Sequence, residues 1–591
     1  MAIYTIRNIR AAWCLSVLFA LFAYSGYSQK PKHVHFEPYN VLRKNFQTSA
    51  LSFFYKDSLE VHRKGDNIVA HLHSLGHLLA GIDTGYIQND TLFLSVYIGE
   101  TYRKAIVNID NVSPSALKRT GLKGTFPEIR KFTYREFFRA EQRLIDYYQT
   151  IGFPFAYVFL DSVSQKNKVL YGKLKIVNGP FIVFDTLQVT GKTKTKKKFL
   201  TNYTKIRPRD PYNQTTIENA HKLLKQLPYL RVRDEPTVSF MDGKAYVRFY
   251  LEDRKANQVD GVAGFLPNQQ TNAAKGNKLL ITGEFNLNLK NMGGKGKGMR
   301  IEWKRLKPES QQIDLEYYHP NLFGSAMNII PSFELLKQDT TFQTVTGVLK
   351  TNFNATGSTK IGFYVGSKQS RLLSTKLYSK YTKPPFLDFN LNTYGMDYEW
   401  NNLNDYFYPR SGNIFFLDAN VGIKSIKRNG RLSDALYDGV KTSTTQFYIK
   451  GDFKHFFRLG KRSTLLAGLR GGRVFNDNIL ITNDLFQIGG LKTLRGFNEN
   501  FFYSEYYSTS VLEFRQFTDE SSYLLLFAEK SFMNYRLGNE SVEDWPTGVG
   551  AGISLSTNTG IFNFVYSLGE SLVQKMQFNQ SKVHFGYITR F

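Results

Sequence analysis

Ile281-Thr282-Gly283-Glu284-Phe285-Asn286-Leu287-Asn288-Leu289 alternates apolar and polar residues with a period of two. Met299-Arg300-Ile301-Glu302-Trp303-Lys304 and Ile313-Asp314-Leu315-Glu316-Tyr317 repeat the pattern. A strand with this period shows one face suited to a nonpolar medium and one suited to water. The pattern runs from Gln258 onward, which fits a barrel wall with lipid outside and a watery lumen inside. A soluble sandwich also buries one face of each strand, but it does not need so many aromatic strand ends. The 335 residues from 257 to 591 accommodate about 16 strands of roughly 10 residues plus turns, and bacterial barrels of this kind have an even number. Gly293-Gly294-Lys295-Gly296-Lys297-Gly298 resembles a phosphate cradle in isolation. With strands on both sides and no helix after it, it reads as a hairpin turn.

Composition agrees with a wall of this kind. Aromatics make up 15% of the 591 residues while hydrophobic residues reach only 42%, as expected when every second wall residue faces lipid. The formal net charge of +28 raises nucleic acid as a partner, but the N-terminus argues for export instead. Arg7 and Arg10 precede an apolar run from Ala11 to Ala23, and Gly26-Tyr27-Ser28 offers small residues for a signal peptidase. Residues 1–28 therefore read as a cleaved signal, with Gln29 as the mature N-terminus. Cys14, the only cysteine, lies inside that signal, so no disulfide or thiolate metal site is expected in the mature chain. No later segment approaches the ~20 apolar residues of a membrane helix.

Residues 29–256 mix helix and strand signals around an imperfect repeat. Gly99-Glu100-Thr101-Tyr102 leads into the strand Ala105 to Ile109, and Gly179-Pro180-Phe181 leads into the strand Val183 to Val189. Between them, Phe137, Phe138, Leu144, Ile145 and Tyr148 give helical spacing over 134–149, followed by a hairpin that ends at Val177. The second copy predicts a helix over 215–227 and a hairpin turned at Asp242-Gly243. This order, with Gly152-Phe153-Pro154-Phe155-Ala156 after the helix, resembles the POTRA domain of outer-membrane assembly proteins. Two POTRA-like units are expected at 100–179 and 180–256. The N-terminal segment 29–99 holds a third, atypical unit over about 46–99, whose hairpin turning at Asn89-Asp90 is clear and whose opening strand is not. The resemblance implies that exposed sheet edges accept extended client strands through backbone groups; the alternative is that these domains are spacers.

His71, His73 and His77 suggest metal only weakly, because no carboxylate is suitably spaced, and a surface helix is the preferred reading. Lys192 to Lys198 reads as a solvated loop, or as a contact for anionic lipid head groups. No Ser/His/Asp or Cys/His set stands out, so neither enzyme activity nor a cofactor is expected.

Further motifs fall in one order: Tyr317 to Gly324, then Asp405-Tyr406-Phe407-Tyr408-Pro409-Arg410-Ser411-Gly412, then Leu494-Arg495-Gly496-Phe497, Glu513-Phe514-Arg515, Phe527-Ala528-Glu529 and Gly548 to Gly552. Together they resemble the superfamily of BamA, TamA and two-partner-secretion transporters, also called the bacterial surface antigen family. That resemblance implies a transmembrane antiparallel β-barrel of 16 strands preceded by α+β POTRA domains, located in the bacterial outer membrane with the N-terminal half in the periplasm. It implies that the Arg495-Gly496-Phe497 loop folds into the lumen, where Arg495 pairs with Glu513 and, with a departure from the family pattern, with Glu529. The family more often has Asp at that position and glycine at the position of Ser531. The alternating face of Val583, Phe585, Tyr587, Thr589 and Phe591 resembles the outer-membrane β-signal.

The first strand, about 258–266, carries Gly261 and Gly264, which weaken its pairing. Its seam with the last strand, marked by Phe585, Tyr587 and Phe591, is a candidate lateral gate. The function implied is assembly of outer-membrane proteins: unfolded clients are received on POTRA edges and inserted through the seam, with outer-membrane lipid and accessory periplasmic or lipoprotein subunits as partners and no nucleic acid. The alternative is a polypeptide transporter of the two-partner type. A passive porin leaves the POTRA-like repeats and Arg495 unexplained.

Overall fold

A computed structural model describes residues 33–39, 52–54, 58–75, 77, 80–89, 91–100, 104–122, 128–129, 134–166, 169–267, 279–307, 309–375, 386–478, 480–537, 540–557 and 559–591. The signal read over 1–28 lies outside them. The chain divides into two compact units: Met1–Phe184 with Pro208–Thr215 and Phe240–Ala245, and the remainder through Phe591.

The first unit contains two four-stranded sheets. In one, His33–Tyr39 lies between Ser52–Phe54 and Thr91–Tyr97, with Gly81–Gln88 at the far edge. Its opening strand thus begins upstream of the expected 46, in a stretch whose proline and histidines disguise the alternation. Val34, Phe36, Leu72 and Leu92 form its core beside the helix Ser58–Ser74. His73 and His77 direct ring nitrogens at the carbonyls of Ala80 (3.0 Å) and Gly99 (2.9 Å). In the other sheet the order is Glu128–Ile129, Lys104–Ile109, Val169–Val177, Tyr157–Lys166. The helix Tyr134–Gln149 buries Ala140 and Leu144 against it. Gly152 follows at φ +99°, where a Cβ would stand 2.3 Å from the Phe181 ring, so only glycine lets the chain turn there.

In the second unit, Leu230–Val232 runs antiparallel to Leu251–Asp253 while Gln188–Thr190 runs parallel to Arg248–Tyr250. The helices Lys197–Thr204 and Gln214–Lys225 bury Leu200, Ala220 and Leu224. Within the segment Lys192 to Lys198, residues 192–196 form the solvated loop expected. The segment's last residues open a helix, and the Lys196 amide donates to the Gly294 carbonyl (2.8 Å), while its five lysines stay exposed.

The rest closes into an antiparallel barrel of sixteen strands, from Gln258–Pro267 and Leu279–Met292 round to Ile561–Glu570 and Lys582–Arg590. Two short segments extend existing strands and add none to the count. Phe486–Ile488 continues the edge facing Phe502–Phe517, and Glu540–Asp544 is cut from Thr547–Ser556 by Trp545-Pro546, as expected where proline lacks a ladder donor. Phe333, Phe363, Tyr394, Ile423, Phe447, Leu469, Leu526 and Phe585 point outward and exposed, the apolar belt of a membrane wall. Inward positions carry ion pairs such as Lys350–Asp397 (2.8 Å) and Arg300–Glu316 (3.1 Å).

Candidate functional site: the lumen latch and the seam

The strands Phe502–Phe517 and Tyr523–Leu537 pair in a register that sets Glu513 opposite Phe527 and Val511 opposite Glu529. One residue separates 527 from 529, so Glu513, Phe527 and Glu529 share one face of the sheet. That face receives the tip of loop 477–501. The Arg495 Nη1 donates to Glu513 Oε2 (2.6 Å), Nε to Glu529 Oε1 (2.9 Å) and the backbone amide to Glu529 Oε2 (2.8 Å). Its Nη2 lies 2.7 Å from Glu529 Oε1, and the guanidinium sits 3.5 Å above the Phe527 ring centre. Arg515 adds a bond to Glu513 (2.7 Å) and Arg470 one to Glu529 (3.3 Å). Arg495, Glu513 and Glu529 are all buried, at 8%, 4% and 2% exposure. Charges so enclosed persist only with their hydrogen-bonding capacity met, and this cluster meets it with three guanidinium groups around two carboxylates.

Glu529, the residue carrying the departure from the family pattern, thus makes more bonds to Arg495 than Glu513 does. The cause lies two strands further on. Gly548 faces Glu529 across one pairing and Gly569 across the next. A Cβ on Gly548 would come within 2.1 Å of the Arg495 carbonyl, and one on Gly569 within 2.6 Å of the Gly496 carbonyl. Two bare wall positions therefore let the loop backbone lie against the sheet, which brings the Arg495 amide to Glu529. Gly496 itself adopts φ +95° with Leu568 O 2.5 Å from where a Cβ would be, and its carbonyl accepts from Gln574 Nε2 (3.1 Å). Phe497 is fully buried among Phe501, Phe502 and Tyr535. Gly569 and Gln574 went unnoticed in the sequence because neither sits in a repeated pattern.

The same loop has a second anchorage, also missed. Asp484 pairs with Lys424, both buried, and Asn483 Nδ2 donates to Ser370 Oγ (2.7 Å). These partners stand on Gly412–Lys427 and Thr359–Leu372, the ninth and seventh wall strands, whereas Glu513 and Glu529 stand on the twelfth and thirteenth. This loop is consequently a strap tied to the wall at two separate places.

At the seam, the first and last strands share two residue pairs among the described residues, Gln258 with Arg590 and Val259 with Thr589. The first strand pairs with the second over ten positions. Beyond Val259, the seam edge that carries Gly261 and Gly264 has no partner in the last strand among the described residues. Gly261 faces Phe285 and Gly264 faces Thr282 on the second strand. Phe585 and Phe591 are exposed, at 63% and 52%, and the Tyr587 hydroxyl donates to the Thr559 carbonyl (2.9 Å). The Phe591 amide donates to the Asn257 carbonyl (3.0 Å).

On the side where the barrel strands begin, short turns carry the last helical domain. Gln226 Nε2 donates to the carbonyls of Gly357 (2.9 Å) and Asn401 (2.8 Å), and Arg207 to that of Gly324 (3.0 Å). The glycine-rich hairpin joins them: a Cβ on Gly294 would stand 2.2 Å from the Lys194 carbonyl. Its glycines thus permit docking as well as turning. The neighbouring turn 402–411 holds Asp405, which accepts from Arg254 Nη1 (2.9 Å) and Nη2 (3.2 Å) and from the amides of Phe407 and Tyr408 (both 2.8 Å). Burial raises its carboxyl pKa, but the Arg254 guanidinium and those two amides outweigh burial and hold it below the ordinary carboxylate value.

A closed, outwardly apolar barrel of sixteen strands behind an α+β domain defines an outer-membrane β-barrel protein of the POTRA class. Residues 182–260 match the POTRA family, described as the surface antigen variable number repeat, against an expected unit at 180–256. With the barrel, this gives the chain the fold of a POTRA domain followed by a β-barrel, a fold similar to that of two solved CdiB structures. CdiB from Escherichia coli is similar at a TM-score of 0.53 and 12% identity, over 90% of this chain and 97% of that one. CdiB from Acinetobacter baumannii is similar at 0.52 and 12%, over 91% and 100%. BamA from Haemophilus ducreyi lacking POTRA domains 1–3 gives 0.40 and 12%, over 83% and 100%. No curated protein matches the sequence.

Proposed function

We propose that this protein is an outer-membrane protein assembly factor that receives unfolded clients on its POTRA sheet edges and passes them into lipid through the seam. The observation that carries this reading is the two-pair seam beside a ten-pair neighbour. An edge left unpaired beyond Val259 among the described residues offers backbone donors and acceptors to an incoming strand. The outer edge of Tyr157–Lys166 offers a second such surface, on the side that this reading places in the periplasm. Arg495, held by Glu513 and Glu529, acts as the latch that keeps the strap in the lumen; no step calls for a nucleotide, a metal or covalent chemistry. A second reading, a transporter passing a polypeptide through the lumen, is favoured by the likeness to the CdiB structures.

Locking the seam separates the two. The double variant Val259→Cys with Thr589→Cys joins a registered pair. Under oxidation it abolishes client insertion, and a reductant restores it. Full client assembly by the locked form, verified by its migration on a non-reducing gel, rejects the lateral route and leaves the lumenal one.

A further inference from the structure

The motif Asp405 to Gly412 has no part in the latch, yet its turn makes the most far-reaching contacts on its rim. It joins Asp388–Asn401 to Gly412–Lys427, the eighth and ninth wall strands, and so starts diametrically opposite the seam. From there it reaches the seam from both sides. Arg254, four residues before the first strand, is bound by both its terminal nitrogens to Asp405 and lies 4.7 Å from the Phe407 ring centre. Arg590, a member of one of the two seam pairs, lies 3.9 Å over the same Phe407 ring and donates Nη1 to the Tyr408 hydroxyl (3.0 Å). The base of the turn is fixed as well: Arg410 donates to the carbonyls of Lys461 (3.2 Å) and Asp519 (2.9 Å) and covers the Phe517 ring at 4.2 Å.

The structure therefore places the two sides of the seam on one platform. Arg254 and Arg590 are both cations, and side by side they repel; the Asp405 carboxylate and the Phe407 ring face are what make their proximity favourable. Charge-assisted hydrogen bonds are roughly twice as strong as neutral ones, so this platform rivals the two backbone pairs it stands beside. We propose that turn 402–411 is a staple on the seam: it holds Arg254 and Arg590 together across the joint, and the first and last strands separate only when that grip is released. The staple rests on the seam being the route for clients only in its purpose; as a mechanical statement about the joint it stands by itself.

The test uses the full chain in lipid vesicles with Cys14→Ser, and nitroxide labels at Phe285→Cys on the second strand and Val583→Cys on the last, both exposed outward. Double electron–electron resonance reads the distance across the joint. The variant Asp405→Asn with Phe407→Ala is expected to raise the population at long distance about tenfold, the equivalent of ~1.4 kcal/mol. The variant Arg254→Lys leaves Asp405 and its two amide bonds in place but removes the two-nitrogen grip, and it should lengthen the distance part of the way; this variant also answers for any loss of folding in the first. A distance distribution equal to the parent's in folded Asp405→Asn with Phe407→Ala overturns the staple, whatever happens to client assembly. A widened joint with unchanged client assembly supports the staple and instead rejects insertion through the seam.

Discussion

Arg495 replaces one of its carboxylate partners' water shells with a fork of bonds, and the cost of its removal follows from what it leaves behind. In Arg495→Ala, Glu513 and Glu529 remain buried with Arg515, Arg470 and the residue-495 amide to face, and the central guanidinium is gone. Breaking one partner out of a buried ionic cluster costs about 3–5 kcal/mol, borne here by the closed position of the strap. Protease cleavage within loop 477–501 should rise sharply and client assembly should fall, while the protein still reaches the membrane. Arg495→Lys keeps the charge without the planar fork and should fall between. A variant with parental protease resistance and full client assembly refutes the latch. The identity of this residue and both acids was legible through the family resemblance that the ordered motifs carry. The division of bonds between the acids was not, because it depends on where the loop backbone rests, and that is set by Gly548 and Gly569 on other strands.

At the scale of elements, the periodic segments were read close to their true limits: a helix at Tyr134–Gln149, a first wall strand at Gln258–Pro267 and a last at Lys582–Arg590. Hydrophobic period dictates such elements locally. Contacts between turns were invisible for the opposite reason. Arg254 and Asp405 are 151 residues apart and Arg590 and Tyr408 are 182 apart, with no pattern linking them. The Gly293 to Gly298 hairpin shows how a correct local reading stops short, since Gly294 was understood as a turn former and also turns out to seat the Lys194 backbone. Gly294→Val adds a side chain at φ +72° against that carbonyl. Hydrogen exchange at the Lys196 amide, which donates to the Gly294 carbonyl, should accelerate by about tenfold, corresponding to ~1.4 kcal/mol of local opening. Unchanged exchange there shows that the rim contact does not hold the domain.

For the whole molecule, the decisive question is how many kinds of protein depend on it. A POTRA edge binds through backbone groups and discriminates little among sequences, so an assembly factor serves many clients. Depleting the protein and quantifying the outer-membrane proteome should therefore lower several barrel proteins together. Loss of one exported protein with the barrels intact indicates the transporter reading, and loss of neither rejects both. The class of the molecule was legible because a membrane wall must repeat one alternation sixteen times. Its working state was not, because the strap and the rim turns hold it through single contacts scattered along the chain.

The bare strip at Gly548 and Gly569 carries a further implication for how such a chain can vary. At those two positions the inner lining of the wall is supplied by the Arg495 and Gly496 backbone, so the loop and the sheet are cut to one another like a tenon and its mortise. A methyl group added on either side leaves the joint unable to seat, and only a matching change on the other side restores it. Variation in this barrel should accordingly be free around most of its circumference and locked in pairs along this one strip.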